Sequence, residues 1–210
     1  MKQFLFNYIG LIKDIVLLVT GIIASLVALI GLNTWKKHLK GKVEYDLSRK
    51  LLTKTYRLRD LISFVRSSYM SGAEMQNPPD NSPFSKTEEG KRYYNAYTGY
   101  MNRFKPINET KARLLTDLLE AEALWGDSIR QQYNRLFHQM NVLVVEIESY
   151  LRDINPETRY RRDMPDPRIE QQLKIMYSRE KVENDEYWQE FVSILNEIEK
   201  LIKPHLKILD

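Results

Sequence analysis

Apolar residues are distributed along this chain in two distinct ways. From Ile15 to Trp35 they run for 21 residues without a charge, IVLLVTGIIASLVALIGLNTW. Beyond residue 45 they recur every three or four positions, the period of a helix buried along one stripe. No segment sustains the period-two alternation of a half-buried strand, so no sheet is expected. At ~1.5 Å per residue the uncharged run is about 30 Å long, the thickness of a bilayer hydrocarbon core. A cleaved leader has a shorter apolar region, whereas this run closes on Trp35-Lys36-Lys37, an interface and stop-transfer pattern. The pattern predicts a retained transmembrane helix.

After the span, Leu47, Leu51, Leu58, Ile62, Val65 and Tyr69 share one face of a helix reaching about Ser71, with Lys50, Lys54 and Arg57 on its flank and Arg59 and Arg66 directed elsewhere. Ser71-Gly72 and the stretch Asn77-Pro78-Pro79-Asp80-Asn81-Ser82-Pro83 then break it, since no helix tolerates that run. Ser85 with Glu88 predicts a capping box for a second helix over 86–104, whose stripe is Tyr93, Tyr97, Tyr100 and Phe104. Pro106 is expected to end it and Asn108 to cap a third helix. The third helix carries a long ladder: Leu115, Leu118, Glu122, Trp125, Ile129, Tyr133, Leu136, Met140, Leu143, Ile147, Tyr150 and Ile154, with a bend at Gly126. Prolines 156, 165 and 167 mark a loop, and Asp166-Pro167 open a fourth helix. Its stripe is Ile169, Leu173, Met176, Tyr187, Phe191, Ile194, Ile198 and Leu201, interrupted by Glu180 and Glu183. The expected fold is all-α, one N-terminal transmembrane helix followed by an elongated cytoplasmic helical bundle of about four long helices. Its parts are an interfacial tail (1–14), the span (15–35), a basic juxtamembrane helix (36–71), a flexible Pro-rich loop (72–86) and the rest of the bundle (87–210).

Charge adds an orientation. The chain of 210 residues has a net charge of +4, but residues 36–71 hold ten Lys/Arg against three Asp/Glu, a local +7 that leaves −3 for the remainder. Lys2 and Lys13 alone precede the span. The positive-inside rule therefore puts the C-terminal part in the cytoplasm and the tail outside. Lys36, Lys37, Lys40 and Lys42 face anionic headgroups, at ~1 kcal/mol each near such a surface. In that orientation the sequon Asn108-Glu109-Thr110 is a helix cap rather than a glycosylation site. Within the span, Gly21, Ala24, Ala28 and Gly31 form a stripe of small residues that lets helices approach closely. Lys13 and Asp14 are candidates for a pore mouth in an oligomer, where such charges meet water; as interface residues they need no role.

The absence of Cys excludes a disulfide scaffold, a thiol nucleophile and thiolate metal sites. No phosphate loop, zinc-protease helix or nucleophile elbow occurs. His38, His138 and His205 lack carboxylate partners at metal spacing, and the pairs Glu120/Glu122 and Glu146/Glu148 do not share a helical face. No catalytic, cofactor or metal residue is assigned, and an enzyme is disfavoured. Two basic–aromatic patches remain as candidates for polyanion binding, in which Arg and Lys take phosphates and Tyr rings stack bases. One is Lys91, Arg92 and Tyr93, continuing through Tyr97, Tyr100 and Arg103; the other is Arg159, Tyr160, Arg161 and Arg162. Tyrosines at helical spacing also serve simply to pack a bundle.

With Ile15–Trp35 as span, Lys36–Lys42 as collar and a helical remainder, the chain resembles in architecture the small transmembrane effectors of bacterial antiphage systems that respond to nucleotide or oligonucleotide messengers. The resemblance implies a homo-oligomer in the bacterial inner membrane, controlled by a cytoplasmic ligand, with ion leakage as output. The alternative is a membrane-anchored scaffold whose bundle recruits a cytoplasmic partner protein.

Overall fold

The computed structural model describes the backbone of residues 2–158, 168–178 and 182–206; the side chains of residues 2–12, 14 and 182 also lie outside the description. Among the described residues every regular element is helical. Helix α1 is Lys2–Val65, α2 Glu88–Trp125, α3 Asp127–Ile154, α4 Arg168–Met176 and α5 Glu186–Ile202. Short 3-10 turns occupy Pro83–Ser85, Val182–Asn184 and Lys203–Leu206. The chain divides into two compact units, the first taking in α1 as far as Asp46 and the second spanning Leu47–Leu206.

In the first unit α1 is long and apolar enough to cross a membrane, and its most apolar window is exposed throughout. Two hydroxyls in this stretch are satisfied by their own helix: Thr20 Oγ1 donates to the Val16 carbonyl at 2.7 Å and Ser25 Oγ to that of Gly21 at 2.8 Å. Such back-bonding hides the hydroxyls, which an apolar surrounding would otherwise penalise.

In the second unit α3 is the central element, packing on α2, α4 and α5. Its seam Ile129, Tyr133, Leu136, Met140, Leu143, Ile147 and Leu151 is buried throughout, each side chain contributing roughly 1.5–3 kcal/mol. The end of α1 supplies Leu47, Leu51, Leu58, Ile62 and Val65, and α5 supplies Tyr187, Phe191, Ile194, Ile198 and Ile202. Thr55 joins α1 to α3: its hydroxyl donates to Leu51 O at 2.7 Å and lies 2.6 Å from Tyr133 Oη. With the threonine proton already committed, the tyrosine is the donor, and burial raises its pKa so that it keeps its proton. Lys54 joins α1 to α2 through Asp117 at 2.6 Å.

The helix boundaries differ from the expected ones in ways that have physical causes. Pro106 does not end a helix but lies inside α2. The ring removes the donor to the Asn102 carbonyl, at a cost of about 3 kcal/mol in a helix interior. Asn102 is exposed, so water reaches that carbonyl, while Phe104 and Ile107 on either side are buried and hold the chain helical. Asn108 is accordingly a mid-helix surface residue rather than a cap. The break falls instead at Gly126, with φ +86 and ψ −178, a conformation open essentially to glycine alone. In α2 the seam is Tyr100, Phe104, Ile107, Leu114, Leu118 and Ala121, so Leu115 and Glu122 are only half-buried. The cap of α2 is Thr87, accepting from Gly90 N, whereas Ser85 sits in the preceding 3-10 turn and Glu88 pairs with Lys91. Gly90 is required there because a Cβ would lie 2.5 Å from Phe84 O. Helix α1 ends at Val65, leaving Tyr69 exposed. The expected fourth helix is two: α4 stops at Met176 and α5 starts after its cap, Asp185. Ile169 and Leu173 are exposed, and Gln172 and Met176 are the buried positions of α4. Asp166, Pro167 and Glu180 lie outside the described residues.

Candidate functional site

Among the described residues the second unit contains two fully buried guanidinium groups, and both act at helix ends. Arg66 directly follows α1 and has no exposed side-chain surface. Its Nη1 and Nη2 each donate to one oxygen of Asp185 at 2.9 Å. Nε donates to Ile175 O at 2.8 Å, and Nη2 also reaches Lys174 O at 3.1 Å and Tyr177 O at 3.0 Å. These are carbonyls at the carboxyl end of α4, which lack intrahelical donors and carry the negative end of the helix dipole. Asp185, the counterion, is at the same time the cap of α5, accepting from Trp188 N at 3.0 Å. The guanidinium carbon stands 4.6 Å from the Tyr187 ring centroid, a cation–π contact made away from water. One side chain thus organises the break between α4 and α5 and ties it to the end of α1.

Arg103, on α2, does the same for the end of α1. Its Nη1 donates to Val65 O at 3.2 Å and Ser67 O at 2.9 Å, and Nη2 donates to Tyr69 O at 2.5 Å. Nε donates to Glu74 Oε2 at 2.5 Å. Glu74 in turn accepts from Ser71 N and Oγ at 2.9 and 3.0 Å. The hydrogen bond from Arg103 holds the Glu74 carboxyl at a pKa of about 2, outweighing the opposing effect of burial. Residues 66–76 are further held by Asn102 Nδ2 to Glu74 O at 2.9 Å and Gln76 N to Thr98 Oγ1 at 3.1 Å.

Beside these clamps a cavity of about 270 Å³ opens between the 67–75 segment, α2, Tyr150 of α3 and Tyr177. Ser67, Ser68, Met70 and Met75 line one side, and Arg92, Asn95, Ala96 and Tyr100 the other. Tyr100 and Tyr150 meet edge to face at 6.4 Å. Burial raises the pKa of both, and for Tyr100 the hydrogen bond with Tyr177 adds to it, so these phenols are neutral donors and acceptors. The Asn95 side-chain oxygen is shielded from solvent without a hydrogen-bond partner.

The predicted residues fall as follows. Lys91 pairs with Glu88 at 2.8 Å. Arg92 is exposed and reaches the cavity, whereas Tyr93 packs on Phe84 at 4.9 Å and on Tyr97 at 6.0 Å. Arg103 and Tyr100, read as a continuation of that patch, are buried, and Arg103 spends its donors within the protein. Arg159, Tyr160, Arg161 and Arg162 lie outside the described residues. Gly21, Ala24, Ala28 and Gly31 are exposed and fall within about 80° of one helix face. Lys36, Lys37, Lys40 and Lys42 are exposed, with Lys40 3.7 Å from Glu44. Lys13 is exposed, and the Asp14 side chain lies outside the described residues. No protein family, curated protein or solved structure matches the chain.

Arg66, Asp185, Glu74, Asn95 and Tyr177 were not singled out by sequence. A signal existed for Arg103, which lies between Tyr100 and Ile107 on an apolar stripe. Arg66, expected to point away from the stripe of α1, is instead fully buried, because it follows the last residue of α1 and turns into the end of α4.

Proposed function

We propose that this chain is a single-span membrane effector of the bacterial inner membrane, related in plan to the transmembrane effectors of antiphage defence. Its cytoplasmic helical unit senses a nucleotide or oligonucleotide ligand and controls a homo-oligomeric pore. The observation that carries this reading is that one helix, α1, holds both the exposed apolar stretch and the first core positions of the second unit. A change at the end of α1 therefore acts on the element that contains the span, and that end is where both arginine clamps converge. The asymmetry of Lys/Arg about Ile15–Trp35 supports a cytoplasmic second unit, and the small-residue stripe supports close packing of spans.

The test is native mass spectrometry of full-length protein in mild detergent, followed by conductance in planar bilayers. A closed ring of at least four copies with ligand-dependent conductance is expected. The double substitution Ala24→Leu/Ala28→Leu should abolish that conductance while leaving the helical unit folded. A monomer or dimer without conductance would refute the effector reading in favour of a tethered scaffold that recruits a partner protein.

A further inference from the structure

We infer that the cavity beside the Arg103 clamp is a binding site for a mononucleotide-sized ligand: a flat ring carrying an N–H donor, joined to one anionic group. This deepens the ligand-sensing reading above and rests on it for its biological meaning, though not for its chemistry. The size comes first. About 270 Å³ holds a single base with its sugar and phosphate but no oligonucleotide. The polar groups are placed for a ligand with two different ends. Asn95 offers an amide oxygen that is buried without a partner, a deficit that a ligand amine relieves. Arg92 stands exposed at the rim, its fork of donors suited to phosphate. The same lining holds the neutral phenols of Tyr100 and Tyr150 and the thioethers of Met70 and Met75, surfaces that accept an aromatic ring.

A larger cavity of about 480 Å³ between Gln139, Lys174, Glu183 and Tyr187 has no comparable set: among the described residues it brings no buried unpartnered polar atom, and it places acids beside its lysine. Position strengthens the choice of the smaller one. Ser67 and Met70 belong to the segment whose carbonyls Arg103 gathers, so a ligand there contacts the chain directly after α1.

The experiment is isothermal calorimetry on full-length protein in detergent micelles with AMP as probe, and with adenosine and ribose 5-phosphate as the two halves. AMP should bind with a 1:1 stoichiometry per chain. Arg92→Ala, a surface change, should weaken AMP about 10–100-fold, as expected for a lost charge-assisted hydrogen bond, yet leave adenosine unchanged. Ala96→Phe, which fills the cavity, should abolish binding of both, with circular dichroism verifying that it folds. Absence of AMP binding to the unaltered chain, or equal AMP affinity in all three proteins, would overturn the proposal. Binding without any conductance would leave this site standing and sink the pore reading; ligand-gated conductance insensitive to both substitutions would do the reverse.

Discussion

Removing the carboxylate opposite Arg66 should be among the most damaging single changes available to the second unit. Arg66 and Asp185 are 0% and 3% exposed, and they share two hydrogen bonds of 2.9 Å. Unit charges about 4 Å apart attract by ~4 kcal/mol at an effective dielectric near 20, and deleting one partner of a buried pair costs about 3–5 kcal/mol. Asp185→Ala also removes the α5 cap, worth about 1 kcal/mol more. Asp185→Asn separates the two effects, because its amide oxygen still caps Trp188 N while the charge is gone. In a unit of this size each kcal/mol moves the melting midpoint by roughly 2–4 °C, so Asp185→Asn should lower it by roughly 6–20 °C. The assay is thermal unfolding of the full chain in micelles, followed by near-ultraviolet circular dichroism, to which Trp188 stacked on Phe191 contributes. Arg66→Met completes a double-mutant cycle. It leaves the buried Asp185 carboxylate without its guanidinium counterion and deprives the carbonyls of Lys174, Ile175 and Tyr177 of their donor, whereas the double variant retains only the second loss. The double variant should therefore be at least as stable as Arg66→Met alone. Losses that add to within about 0.5 kcal/mol would refute the claim that the pair acts as a coupled buried unit.

Three further outcomes are expected. The Glu74 carboxyl titrates near 2 rather than its ordinary 4.5, so its contribution is complete above about pH 4.5 and is lost as pH falls toward about 2; the stability gap between native chain and Glu74→Gln should be clear at about pH 6 and shrink on acidification, and a gap independent of pH would contradict the assignment. Gly126→Ala meets no atom within 4 Å, so its cost of about 1–3 kcal/mol should be purely conformational, measured as a fall in urea midpoint with an unchanged slope. Pro106→Ala restores a donor to Asn102 O inside α2 and should raise the melting temperature, whereas a fall would mean that α2 needs the local geometry the proline imposes.

The parts of the fold that were legible are those in which local pattern and tertiary burial agree. The ladder from Ile129 to Ile147 is of this kind, while the uncharged run from Ile15 is legible from its length and apolarity alone, with no burial inside the protein. Misreadings cluster where a local preference lost to packing. Pro106 and Gly126 exchange their expected roles because Phe104 and Ile107 bury the helix across the proline, while Gly126 takes a positive φ. The single fourth helix failed for another reason: α4 and α5 carry compatible stripes, and the break between them is made by Arg66, 119 residues from Asp185. No spacing rule links residues so far apart. The clamps are hidden because the partners of both arginines lie on other segments, Asp185 and the end of α4 for Arg66 and the 65–74 segment for Arg103. The cavity is equally nonlocal, since Asn95, Tyr150 and Tyr177 come from three segments that meet only in the folded chain.

The sequence distance inside the Arg66 clamp also imposes an order of assembly. Arg103 finds Glu74 only 29 residues away, so that closure becomes available as soon as α2 leaves the ribosome. Arg66 must wait for Asp185, which at ~5–20 residues per second follows it by roughly 6–24 s. During that interval the stretch Ile15–Trp35 is already made and free to enter a bilayer, while the guanidinium at the far end of the same helix has no counterion. The apolar stretch is thus complete first, and the second unit locks only once Asp185 has been made.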